Sequence, residues 1–142
     1  MTSSASTPAT VPQVSWPRFV VLVIGAIFLA LGIAGFVTHG DAAGVDHSRT
    51  VLGFGVSGLL NIVHIAAGVL GLLAARKSAT TRVYGWLLFF AFAGLTAYTI
   101  FATVIGGPGD IVNVNAANAF LYGLSCAAGL VIALLPEHRP QR

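Results

Sequence analysis

Charge is the scarcest property of this chain. Only 8% of its 142 residues are Asp, Glu, Lys or Arg, against roughly 25% in soluble domains. That is too little polar surface to coat a water-soluble core, so a soluble globular protein is excluded. Acidic residues are rarer still: Asp41, Asp46, Asp110 and Glu137 are the only four, and none falls inside an apolar run. Proton relays in membranes commonly use embedded carboxylates, so their lack weakens a reading as an ion-driven transporter. The single cysteine, Cys126, cannot form an intramolecular disulfide. Set among Ala and Gly, it reads as a small packing residue and says nothing about redox compartment. Catalytic combinations are missing as well. Gly106-Gly107-Pro108-Gly109 lacks the Lys and Ser/Thr of a phosphate loop. Ser57 and Ser125 have no acidic partner in evident reach for Ser-His-Asp chemistry. These gaps point away from an enzyme, and no cofactor is called for.

What the chain has in abundance is apolar length. Hydrophobic residues make up 56% of it, the mean hydropathy is +0.90, and the apolar runs are long enough to cross a hydrocarbon core of about 30 Å. The expected fold is all-α: a polytopic integral membrane protein with a four-transmembrane-helix bundle over residues 16–136. Helices are expected at about 17–37, 52–75, 83–105 and 115–135. Residues 1–15, rich in Ser, Thr and Pro, read as a disordered tail, and 137–142 as a basic tail. The first run follows Trp16-Pro17-Arg18 and is too long for a cleaved signal, so it reads as an anchor that stays. Trp and Arg suit the membrane interface, and Pro suits a first helical turn.

Lys and Arg placement predicts orientation. Arg18, Arg76, Lys77, Arg82, Arg139 and Arg142 lie on one side and Arg49 alone on the other. The positive-inside rule then puts both termini on the cytoplasmic side of a bacterial plasma membrane. The same placement explains the net charge of +3 without nucleic acid, since no basic stripe or stacking array accompanies it. A weak internal correspondence, Arg18-Phe19-Val20 with Arg82-Val83-Tyr84 and Asn61 with Asn118, suggests two repeated helical hairpins in parallel arrangement. Small residues four apart, at Ala26/Ala30/Ala34 and Ala67/Gly71/Ala75, permit close helix approach. Bundle packing is the simpler use for them; a homodimer seam is the alternative.

Polar residues inside the apolar runs are the candidates for a site. Asn61 and His64 stand three apart, so they project from one helix face. Counted from Leu52, His64 lies very roughly 18 Å in. The plainest role is an interhelical hydrogen bond, with Asn118, Tyr122, Thr96, Tyr98 or Thr99 as partners. The functional alternative is a ligand site or a proton-carrying step. Haem is disfavoured, because His64 is the only histidine well inside an apolar run. A quinone or lipid needs only one donor in an apolar pocket, and Phe89, Phe90, Phe92 and Tyr98 are available to line one. His39, Asp41, Asp46 and His47 form a mixed-charge outer loop without the spacing of a metal motif, so no metal site is expected.

Several stretches together resemble a known family. They are Gly32-Ile33-Ala34-Gly35-Phe36, Leu52-Gly53-Phe54, Asn61-Ile62-Val63-His64 with Gly68-Val69-Leu70-Gly71-Leu72, and Asn115-Ala116-Ala117-Asn118. The chain is similar over about 18–135 to the "domain of unknown function" family 4383, small four-helix membrane proteins found mainly in actinobacteria. The resemblance implies a fold and no activity. Members often repeat Asn-x-x-His in the fourth helix with Asp before the Asn; here Ala117 and Leu121 hold those positions.

The functional expectation is a non-enzymatic accessory or interaction subunit, in contact with the bilayer and with a membrane-protein partner or further copies of itself. The alternatives are a small-ligand, lipid or quinone binder centred on His64, and an oligomeric transporter or channel lined by Asn61, His64 and Asn118.

Overall fold

Among the described residues, four α-helices carry the chain. The computed structural model describes residues 15–40, 45–106 and 109–135. The tails expected at 1–15 and 137–142, apart from Ser15, lie outside the described residues, as do Asp41 and Pro108. α1 runs Trp16–His39, α2 Gly58–Ala74, α3 Ser78–Ile105 and α4 Ala116–Leu134. Between α1 and α2 lies an antiparallel hairpin of β1, Thr50–Val51, and β2, Phe54–Gly55.

The helix starts follow local chemistry. Pro17 sits in the first turn of α1, where its missing N–H costs nothing. Ser57 caps α2 by accepting from the Leu60 N–H. Asn115 and Asn118 form a reciprocal capping box at α4. α1 stops at Gly40, whose φ of 63° suits glycine.

Two boundaries differ from the sequence expectation. The second helix begins at Gly58 rather than 52. Leu52 and Gly53 take φ of 52° and 87° to turn the hairpin, and a helix cannot run through that turn. α2 is therefore only 17 residues long. The third helix begins at Ser78 rather than 83. Thr80 and Thr81 donate their hydroxyl protons to the Ala74 and Lys77 carbonyls, so the presumed link becomes its first turn.

α1, α3 and α4 are each long and apolar enough to cross a membrane, while α2 is a shorter apolar helix. The outward faces are apolar: Val37, Val83, Phe90, Val104 and Phe120 are all exposed. A surface of that kind is stable when lipid is the solvent. Buried positions recur at alternating three and four residues, as in Val21, Gly25, Phe28, Gly32 and Gly35 of α1, the spacing of a left-handed packing seam.

The helices associate as two antiparallel hairpins, α1 with α2 and α3 with α4. Glycine lets the backbones meet. A Cβ on Gly68 would lie 2.7 Å from the Leu29 Cα, and one on Gly129 would lie 2.7 Å from the Gly85 carbonyl oxygen. The alanine stripe anticipated on α1 is not this seam: Ala26 and Ala30 are exposed and Ala34 is half-buried. On α2, Ala67, Gly71 and Ala75 are buried as anticipated. Both hairpins close in the same way at one end. Arg18 donates from Nε to the Ala75 carbonyl at 2.7 Å, and Arg82 donates from Nε to the Ala133 carbonyl at 2.8 Å. This shared clamp gives the weak sequence correspondence of Arg18 with Arg82 a structural counterpart.

Candidate functional site

At the centre of the bundle each helix contributes one ring. Phe28 of α1 lies 4.8 Å from Phe92 of α3 and 5.4 Å from His64 of α2, centroid to centroid. Tyr122 of α4 closes the circuit, 5.5 Å from Phe92 and 5.8 Å from His64. The four rings are buried, and His64 and Tyr122 expose nothing. Tilted packing of this kind suits the ring quadrupoles and adds to simple area burial.

Hydrogen bonds extend from this layer toward the β-hairpin. His64 Nε2 pairs with the Tyr122 hydroxyl at 2.9 Å, and Asn118 Nδ2 donates to the same hydroxyl at 3.2 Å. Asn118 also donates to the Gly55 carbonyl and accepts from the Gly55 N–H at 2.8 Å. Two helices, α2 and α4, and the hairpin are thus joined by one side-chain chain, with Phe28 of α1 and Phe92 of α3 packed against its rings. Of the partners considered for His64, Tyr122 is the one selected. Thr96 and Thr99 instead donate to carbonyls of their own helix, and the Tyr98 hydroxyl accepts from the Ile111 N–H.

Asn61 shares the helix face of His64 but stands outside this chain. It is fully buried against Gly35, where any Cβ would overlap its amide. Its Oδ1 and Nδ2, together with His64 Nδ1, have no hydrogen-bond partner among the described residues. The structure therefore brings His64, Asn118 and Tyr122 together and leaves Asn61 beside them. The depth assigned to His64 also changes, because α2 starts six residues later than counted and His64 sits in its second turn.

The proposed lining aromatics divide. Phe92 is in the ring layer, whereas Phe89 and Phe90 cluster with Trp86, and Phe90 is exposed. Phe28, absent from the sequence candidates, completes the layer. The signal available for it was its seven-residue spacing from Val21 and Gly35 on the buried face of α1.

A second polar network lies at the hairpin end, and the sequence reading passed over it. Asn113, at φ 62°, donates from Nδ2 to the Arg49 and Val56 carbonyls and accepts from the Asp46 N–H. Ser57 donates to the Val112 carbonyl, and Asn115 donates to the Gly53 carbonyl. Asp110 is buried, and its Oδ1 accepts from the Val112 and Val114 N–H groups. Together these contacts lock residues 45–57 onto 109–115. Asp46 itself is exposed; the hydroxyl and backbone N–H of Ser48, helped by Arg49, hold its carboxyl below the usual value. The polar spacing Asp110, Asn113, Asn115, Asn118 is the sequence trace of this network, but a side chain that bonds backbone has no fixed partner to search for.

The fold and the polar layer can now be set beside known proteins. A family model described as Domain of unknown function (DUF4383) matches residues 18–135. The chain belongs to this family. The match begins at the clamp residue Arg18 and ends just beyond α4, so the family unit contains both hairpins, the ring layer and the hairpin-end network. No curated protein and no solved structure matches the chain.

Proposed function

We propose that this protein is a non-enzymatic component of a bacterial plasma membrane that acts by association, as an accessory subunit or as an oligomer of its own chain. One observation carries the reading: the four-ring layer fills the centre of the bundle, with His64 and Tyr122 bonded to each other at zero exposure. Polar groups consumed in this way hold helices together. The lateral faces are left to lipid and to other membrane proteins. In this reading both termini are cytoplasmic, since Arg18, Arg76, Lys77 and Arg82 share one end of the bundle and Arg49 lies at the other.

Blue-native electrophoresis of the tagged protein from its own membranes tests this. A discrete assembly larger than one chain is expected. Migration as a monomer in every mild detergent, with nothing co-purifying, would count decisively against it.

A small-ligand or quinone site at His64 is the second reading. It is favoured by the unpaired His64 Nδ1 and Asn61 amide, three polar atoms buried side by side on one helix face. A bound species that vanishes in His64→Ala would select it.

A further inference from the structure

At the clamped end of the first hairpin, Leu22 of α1 and Leu72 of α2 flank an open groove of about 220 Å³. Its remaining lining is Arg18, Ala75 and Arg76, so two basic residues border an apolar floor. We propose that this groove binds a phospholipid with an anionic headgroup. The phosphate sits on Arg18 and Arg76, and one acyl chain lies along Leu22 and Leu72.

The geometry suits that occupant in three respects. Arg18 is held in place by the carbonyls of Ala75 and Arg76, each at 2.7 Å, through Nε and Nη2. A guanidinium carries five N–H donors, and the ones left over have no partner among the described residues. An arginine fixed by backbone carbonyls is preorganised for a phosphate oxygen. Second, Arg18 belongs to the first turn of α1, which has no side-chain cap from Ser15, so the groove lies next to the positive end of that helix dipole. Third, Leu22 is exposed and Leu72 half-buried on helices whose outward faces are apolar, and an anionic phospholipid presents an anion and an alkyl chain in that order at a membrane interface. A zwitterionic lipid fits the floor but brings a cation of its own to the two arginines. This assignment is independent of which protein the bundle contacts.

Native mass spectrometry of the detergent-purified full chain, with dioleoylphosphatidylglycerol or dioleoylphosphatidylcholine added, tests the groove. The wild-type chain should retain the glycerol lipid in preference to the choline lipid. Arg76→Gln changes an exposed side chain and should lower retention of the glycerol lipid about fivefold, the worth of one basic residue at an anionic surface. Leu72→Trp, which fills the floor, should lower retention of both lipids. Arg49→Gln, at the opposite end, should leave retention as in the wild type. Equal retention of the two lipids by the wild-type chain would overturn the proposal. So would wild-type retention in both groove variants, or an equal loss in Arg49→Gln.

Discussion

Removing the Tyr122 hydroxyl takes a partner from His64 and from Asn118 at once. Interhelical hydrogen bonds in membranes average about 0.6 kcal/mol and reach roughly 1.7. Tyr122→Phe keeps the ring contacts, so the expected outcome is a folded protein destabilised by about 1–2 kcal/mol, read from its unfolding in graded denaturing detergent. Phe92→Ala instead opens a hole beside the rings of Phe28 and Tyr122, and core truncations of this type cost about 3–5 kcal/mol. It should lower the unfolding midpoint well beyond Tyr122→Phe. The reverse order would mean that polar bonding rather than ring packing holds the centre. At this scale the sequence was partly legible. A lone His and a lone Asn in apolar runs stand out because polar groups at that depth are costly. Phe28 does not stand out, since one phenylalanine among many apolar residues differs only by facing inward.

Among the elements, the hairpins depend on glycine where backbones touch. Gly129→Leu drives a side chain into the Gly85 carbonyl and Phe89 backbone of α3. It should part α3 from α4 and abolish a monodisperse peak in size-exclusion chromatography. Gly94, also in α3, has nothing within 4 Å of a Cβ built there. Gly94→Ala should therefore fold normally and gain up to about 1 kcal/mol from reduced backbone freedom. Helix identity was legible from apolar length, and the helix ends at Arg76 and Gly106 were placed within a residue or two by charge and glycine. The start of α2 was not, because Leu52-Gly53-Phe54 is as apolar as the helix that follows. Only the positive φ of Leu52 and the cap at Ser57 separate the two. The alanine stripe on α1 misled for a related reason: small size permits close approach, but the buried face is decided by where Val21, Gly25 and Phe28 point.

For the whole molecule, apolar outward faces and clustered basic residues at one end describe a bundle built for a bilayer. Each clamp, Arg18 to Ala75 and Arg82 to Ala133, closes its own hairpin, and the short link from Ala74 to Ser78 keeps the two clamped ends on the same side of the bundle. A single cysteine at position 79, in the Cys126→Ala background, should be labelled by a membrane-impermeant thiol reagent only after the cells are opened. Labelling in intact cells would reverse the proposed orientation. Membership of the family was also legible from the sequence, because Asn61-x-x-His64 lies within one helix and Asn115-x-x-Asn118 is the capping box that opens another. Activity was not, since His64 turns inward to bond Tyr122 and Asn61 is buried beside it without a partner among the described residues.

The measurement that bears most directly on the central claim is the intact mass of the tagged protein, extracted from its own membranes in mild detergent. If the polar layer is a structural closure and the protein works by association, the mass is that of a defined assembly, and His64→Gln leaves it unchanged. A single chain carrying a reproducible few hundred daltons, lost in His64→Ala but kept in Arg76→Gln, would contradict the account and make His64 a ligand site.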